Sequence, residues 1–219
     1  MIPLMTEGGA RLQARTVVIC VGSSFKHLDI PGEETYLNRG VSFCPHCDGP
    51  LFTDRKIAVM GGGNSAIEAA IDLAGIAREV TVIDIADSLK ADKVLVERLK
   101  ALANTRVIQC ANATRVLGDG HRVTGLEYKD ADGQGQMLEL DGIFVQIGST
   151  PNTDWLTGKL EMEDGYISVD NTGATSIPGV FAAGDCTNVP HKQIVIALGA
   201  GANAALGAFE YLIRNPKDA

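Results

Sequence analysis

Short aliphatic runs alternate with alanine-rich amphipathic stretches along this chain. ARTVVICVG at 14–22 is a β-branched run closed by glycine, which predicts a buried parallel strand. KIAVM at 56–60 predicts a second strand and runs straight into Gly61-Gly62-Gly63. From Asn64 the apolar residues Ile67, Ala70, Ile71 and Ala74 fall at i, i+3, i+4 and i+7, the pattern of a helix with one face on a sheet, ending near Gly75. VTVID at 80–84 predicts the next strand. SLKADKVLVERLKAL predicts a second amphipathic helix with Val94, Leu95, Leu99 and Leu102 on its buried side, and RVIQC another strand. VTGLEYKD and QMLELDGIFVQIG, around the GDG at 118–120, predict two antiparallel strands, a meander attached to the parallel sheet. Beyond Gly148 the pattern breaks into polar turns until GVFAAGDC at 179–186. A helix from about 193 to 213 follows, so crowded with Ala and Gly that it must pack closely against a neighbour.

Composition agrees with an α/β protein: of 219 residues, 45% are hydrophobic, only 5% aromatic, and 25 are glycine. The formal net charge of −8 repels a phosphate backbone, which argues against nucleic acid as a partner. The start, MIPLMTEGGARLQ, lacks a basic region followed by a long apolar run, and no later segment reads as the roughly 20 uninterrupted apolar residues of a bilayer span. Five cysteines, an odd number in a chain of this length, do not suggest a secreted disulfide framework. The expectation is a soluble cytoplasmic protein without membrane contact.

GGGNSA, Gly61 to Ala66, fits G-x-G-x-x-A. Gly61 permits the tight turn, Gly63 lets a pyrophosphate approach the backbone, and Ala66 lets helix and strand pack closely. Asn64 and Ser65 open a helix whose unpaired N–H groups and positive dipole end suit phosphate. A strand precedes, an amphipathic helix follows, and the next strand ends in Asp84, about 20 residues on, where an adenosine ribose would lie. A carboxylate there accepts from both ribose hydroxyls and repels a 2′-phosphate. With no arginine cluster following, the pattern favours NADH over NADPH.

FCPHCDGP, Phe43 to Pro50, sets Cys44 and Cys47 two residues apart around Pro45 and His46, with Asp48 next. Three readings apply: half a zinc site, a structural disulfide, or a redox dithiol. Zinc needs four ligands, and Cys20, Cys110 and Cys186 stand singly in or beside apolar strands, where buried inert thiols are common, so no metal site is expected. A CxxC bridge closes too short a loop to constrain much chain entropy. The dithiol reading uses more of the stretch: His46 can stabilise a thiolate, Pro45 stiffens the turn, and Asp48 can exchange a proton next to Cys47. A turn aspartate and a solvated loop histidine remain alternatives for Asp48 and His46.

CPHCDGP followed by a strand and GGGNSAIEAA resembles the low-molecular-weight thioredoxin reductases, and among them the branch formed by the flavoprotein subunits of alkyl hydroperoxide reductase. The resemblance continues through FVQIGSTPNTDWL, GVFAAGDCT and PHKQIVIALGAGANAALGAFEYL, nearly the whole chain. It implies a relay in which NADH reduces FAD, FAD reduces the cysteine pair, and the pair reduces a thioredoxin-like or peroxiredoxin-type disulfide. In that scheme Cys47 faces the flavin, Cys44 exchanges with the outer disulfide, and Asp48 manages the proton. It further implies that Gly22, Gly184 and Asp185 meet FAD, Asp185 through the ribityl chain. Gln193 and Ile194 would open a helix whose positive end faces the flavin ring.

The implied fold is an NAD(P)-binding Rossmann-like domain inserted in an incomplete FAD-binding Rossmann-like domain. Only one dinucleotide fingerprint is present, and the family's leading FAD-binding βαβ unit has no counterpart here. The expected division is a remnant of the FAD domain at 1–42, an NADH domain with the CxxC at 43–147, and the C-terminal part of the FAD domain at 148–219. Gly40 and Gly148 are the expected hinge positions, and a homodimer is implied if the FAD domain is completed. The alternative is a non-catalytic fragment that binds NADH and lacks a complete FAD site.

Overall fold

The structure, a computed structural model, describes residues 1–216. Its contacts divide the chain into two compact units, one formed by residues 1–24 with the chain from Ser149 on, the other by residues 25–148. The first crossing thus falls at 24/25 rather than at 42/43. Residues 28–43 belong with the second unit because Leu28, Ile30, Tyr36, Leu37 and Val41 pack into its core. Gly40 is part of that packing and not of a crossing: at φ +123° any Cβ would sit 2.6 Å from the Val123 side chain. Gly148 is the last residue of the second unit.

The first unit opens with an antiparallel hairpin, β1 (Ile2–Met5) and β2 (Arg11–Ala14), then β3 (Val17–Ile19) and β4 (Ser23–Phe25). The second unit begins its sheet with β5 (Val41–Ser42), followed by the one-turn helix α1 (Pro45–Asp48). β6 (Lys56–Met60), α2 (Asn64–Ala74), β7 (Glu79–Ile83), α3 (Lys93–Lys100) and β8 (Thr105–Ile108) form successive β-α-β crossovers. β9 (Asn112–Gly118), β10 (Val123–Lys129) and β11 (Gly135–Glu139) make the antiparallel meander, and β12 (Gly142–Val145) closes the unit.

The second unit holds a five-stranded sheet in the order β5-β12-β6-β7-β8, parallel throughout. Both faces are covered, so its strands are continuously apolar, with a side-chain period of two that sorts them. Ile57, Val59, Val80, Val82 and Phe144 point into a core closed by α2 and α3. Ala58, Met60, Ile83, Ile143 and Val145 point into a second core closed by the meander. The run QMLELDGIFVQIG is therefore two strands, not one: Gly135–Glu139 stays in the meander, and Gly142–Val145 returns to the parallel sheet beside β6. The turn at Leu140 and Asp141 permits this switch, with Asp141 Oδ2 accepting from the Lys56 amide at 3.0 Å. On α3, Leu99 is fully buried, but Val94 is 69% exposed, because a helix of eight residues turns only a narrow face to the sheet.

In the first unit, β13 (Ser149–Pro151) pairs with β4, and β14 (Met162–Glu163) with β15 (Tyr166–Ile167). β16 (Val180–Ala182) runs parallel to β3, and α4 (Ile194–Arg214) lies against them. Ala204 and Ala208 are the buried contacts of α4, in one core cluster with Phe181 and Ala183. The outer face of α4 is apolar and uncovered: Ile194, Val195, Leu198, Leu206, Phe209 and Ile213 are all exposed. Contrary to the sequence expectation, this helix of 21 residues is long and apolar enough to cross a membrane by length and composition, although a core helix passes the same test.

Candidate functional site: a glycine turn and a dithiol

The glycine turn joins β6 to α2. Gly61 takes φ +120°, and a Cβ there would lie 2.6 Å from the Gln146 carbonyl oxygen, so only glycine fits between β6 and β12. At Gly62 a Cβ would meet Asp84 Oδ2 at 1.9 Å, so a larger residue there would have to displace that carboxylate. The fingerprint leaves that middle position open, so no pattern along the chain marks it. Beside Gly63 a Cβ would meet nothing within 4 Å, which leaves the approach to the helix clear. Gly63 is the N-cap of α2 and no side chain caps the helix, so its first N–H groups have no side-chain partner. Ala66 is fully buried under the turn.

Asn64, Ser65, Asp84, Lys90 and Gln146 line the groove of about 410 Å³ around this turn. The loop after Asp84 folds back over it: the Lys90 and Ala91 amides donate to the Gly62 carbonyl at 2.8 and 3.1 Å. Asn64 and Asp92 clasp the loop, with the Asp92 amide donating to Asn64 Oδ1 at 2.8 Å and Asn64 Nδ2 to Asp92 Oδ2 at 3.1 Å. Half-buried Asp84 sits at the end of β7, facing a second, smaller cavity lined by Met60, Ile83, Ile85, Ala111 and Ile147. Lys90 is a cation in the groove that the sequence pattern does not single out.

Cys44 and Cys47 are joined by a disulfide, with Cα atoms 5.3 Å apart. Cys44 caps α1, its sulfur accepting from the Cys47 amide at 3.2 Å, and Pro45 takes the first helical position, where it leaves no amide unpaired. Asp48 is half-buried and accepts from the hydroxyl of Ser42 at 2.6 Å; Ser42 in turn accepts from the Cys44 amide at 3.0 Å. The exposed ring of His46 points to α2, its Nδ1 3.3 Å from Asp72 Oδ2. Gln146 links strand end to glycine turn by donating to the Phe43 carbonyl at 2.9 Å. Ser42, Asp72 and Gln146 are not among the residues that the motifs pick out. The one available signal is a small polar residue ending an apolar strand just before the cysteines.

Of the remaining cysteines Cys186 is buried as expected, while Cys20 is exposed and Cys110 half-buried. Partial burial and the neighbouring Cys186 push the Cys20 thiol up, against the Ala183 backbone, which pulls it down. Among the described residues no three His, Cys, Asp or Glu side chains gather to hold a metal.

The first unit carries the other predicted residues. Gly22 has open space where a Cβ would be, and Gly184 and half-buried Asp185 follow β16. Gln193 is the N-cap of α4 with no side-chain cap bond, and Ile194, its first residue, is 82% exposed. Lys192, just before, donates to the Thr187 carbonyl at 2.6 Å and lies over the Tyr166 ring at 4.1 Å. Its burial pulls the ammonium pKa down, opposed by Asp185 and Cys186 nearby. An uncapped helix start beside a carboxylate and open glycine backbone fits a ligand with an anionic ring edge and hydroxyls, as a flavin dinucleotide has.

A parallel-sheet nucleotide fold carrying a dithiol within the same unit defines a class of redox protein. Residues 3–202 match the family "Pyridine nucleotide-disulphide oxidoreductase", and the chain belongs to it. Its relatives are oxidoreductases whose family uses flavin and a pyridine nucleotide. The chain is 53% identical over 216 residues to an alkyl hydroperoxide reductase subunit of Xanthomonas campestris pv. phaseoli, covering 98% of this chain and 41% of that protein. It is 56% identical over 209 residues to the same-named protein of Pseudomonas putida, covering 94% and 40%. The chain thus spans about two fifths of the curated relatives it matches. The crystal structure of thioredoxin reductase from Streptococcus pyogenes MGAS5005 superposes with a TM-score of 0.92 at 36% identity, over 97% of this chain and 70% of that one.

Proposed function

We propose that this chain acts in an NADH:disulfide oxidoreductase that uses FAD, passing two electrons to Cys44–Cys47 and on to a thioredoxin-like or peroxiredoxin-type protein disulfide. The carrying observation is the Cys44–Cys47 disulfide with Asp48 beside it, in the same compact unit as the uncapped glycine turn and Asp84. Asp84 would accept from the adenosine ribose, the Gly63 turn and the α2 amides would receive the pyrophosphate, and Lys90 would add a cation to the groove. Asp84 supports NADH rather than NADPH, because a 2′-phosphate would meet its carboxylate. Bound FAD would supply the two-electron exchange between nicotinamide and dithiol. Asp185 would bind the ribityl hydroxyls, Gly22 and Gly184 would admit the cofactor backbone, and Gln193 with Ile194 would present the uncapped start of α4. On the dithiol, Cys47 would stand toward the flavin, Asp48 would supply a proton to the thiolate released when the Cys44–Cys47 bond is reduced, and Cys44 would attack the partner disulfide. His46 stands at the exposed rim with its ring against Asp72. A reducing cytoplasm suits the exchange, and a homodimer is expected where the FAD domain is complete.

A second reading, an NADH-binding module without flavin, is favoured by one observation: among the described residues the first unit has two parallel strands, β3 and β16, under an α4 with an exposed apolar face. A visible spectrum after incubation with FAD and desalting, followed by anaerobic NADH, separates the two. A flavin band that bleaches while thiols appear on Cys44 and Cys47 supports the relay. A colourless protein that still binds NADH supports the second reading.

A further inference from the structure

We propose that Ser42 is the positioning residue of the dithiol, holding Asp48 where it exchanges its proton with Cys47. The inference rests on the dithiol reading above but on this chain's own atoms alone. Ser42 ends β5, is 3% exposed, and is fixed by parallel pairing opposite Phe144. Its hydroxyl oxygen lies 2.6 Å from Asp48 Oδ2, a hydrogen bond that ties the carboxyl group to the end of β5. The Cys44 amide fills a lone pair of the same oxygen at 3.0 Å, and the Asp48 amide donates to the Cys44 carbonyl at 3.1 Å. Ser42, Cys44 and Asp48 thereby close a ring of hydrogen bonds that includes the first cysteine of the pair. The Asp48 side chain has no other hydrogen bond or ion pair among the described residues.

A hydroxyl is suited to this place because it serves both protonation states of its partner. With Asp48 ionised, Ser42 donates to it. With Asp48 protonated, the carboxyl donates to Ser42, and the serine hydrogen turns toward the Cys44 carbonyl, 3.5 Å away. The carboxyl oxygen keeps its position while its proton comes and goes. In reduction by an external dithiol, one of its thiolates bonds to Cys44 Sγ, the Cys44–Cys47 bond breaks, and Cys47 leaves as a thiolate that takes the Asp48 proton. The second external thiolate then displaces Cys44, the external dithiol ends as its own disulfide, and its two hydrogens end on Cys44 and Cys47. Asp48 is reprotonated from the thiol that supplied the attacking thiolate, through solvent. A serine that merely finishes the strand would affect stability and leave this rate alone.

The test uses the full oxidised chain and dithiothreitol, without flavin, counting alkylated Cys44 and Cys47 by mass spectrometry over time. S42T and S42V have nearly the same shape and differ in the hydroxyl. S42T is expected to react at close to the parent rate. S42V should be about 10- to 100-fold slower, a share of the roughly 10²–10⁴-fold that positioned proton transfer supplies. D48N should be slow too, and S42V/D48N no slower than D48N alone, because the two side chains act as one unit. If valine prevents folding, S42A takes its place in each comparison. Equal rates for S42V and S42T beside a slow D48N would overturn the role of Ser42 and leave that of Asp48 standing. A D48N chain as fast as the parent would sink both, and losses that multiply in the double variant would show that Ser42 works by another route.

Discussion

The two units are built from the same kinds of segment, yet they bury them to very different extents. In residues 25–148 five parallel strands are covered on one face by α2 and α3 and on the other by the meander, and Ile57, Val59, Val80 and Ile143 are all but inaccessible. In the other unit, among the described residues, two parallel strands carry one helix, whose fully buried residues are two alanines and six of whose large apolar side chains are exposed. Apolar sequence is therefore no measure of core. Stability follows the area removed from water, about 25 cal/mol per Å² of apolar surface, and α4 leaves much of its apolar surface exposed.

The strongest way to break this contrast is at Phe144, fully buried and edge-on to Phe52 at 5.1 Å. F144A should destabilise the 25–148 unit by about 3–5 kcal/mol in urea melts monitored by hydrogen exchange within it. A loss of less than about 1 kcal/mol would mean that the core can collapse around the gap, contrary to its dense packing. Next in size, D84A removes the carboxylate proposed to hold the ribose and should weaken NADH binding by about 1.5–3 kcal/mol, read by isothermal calorimetry. Its NADPH affinity should fall less or rise, and equal losses for both nucleotides would remove Asp84 from the ribose site.

G62A should cost about 1–3 kcal/mol of stability, since its methyl must displace the Asp84 carboxylate or the loop over it. Thermal melts with and without NADH would read this, and an unchanged midpoint would show that the turn has room it lacks in the structure. Smallest of all, L198Q on the uncovered face of α4 should shift stability by no more than about 0.5 kcal/mol. A larger loss would reveal that something covers this face in solution, and the contrast between the units would then be one of partners rather than of burial.

Much of the second unit was legible along the chain. β6, α2 and β7 fell where periodicity put them, because strands covered on both faces are uninterrupted aliphatic runs and a helix on a sheet keeps an i, i+3, i+4 stripe. Three errors share a cause in tertiary pairing. QMLELDGIFVQIG reads as one strand because a change of sheet leaves no mark on hydrophobicity. The expected FAD-domain remnant at 1–42 takes in residues 28–42, although Tyr36 and Val41 enter a core assembled from distant segments of the other unit. Val94 reads as buried because the short span of α3 is fixed by where the chain must turn, not by its own pattern.

By itself the sequence determined the chemistry that is local along the chain: a glycine turn before a helix, an acid one strand later, and two cysteines one turn apart. Those depend on backbone conformation and spacing over a few residues, which residue types dictate directly. Only the tertiary structure decided what surrounds them. It set the Asp84 carboxylate against Gly62, folded Lys90 over the turn, and brought the Ser42 hydroxyl onto Asp48. The Asp84 and Lys90 contacts arise because parallel strands end at the same edge of one sheet, and register there is carried by no single segment, while the Ser42–Asp48 bond depends on how α1 folds back on the end of β5.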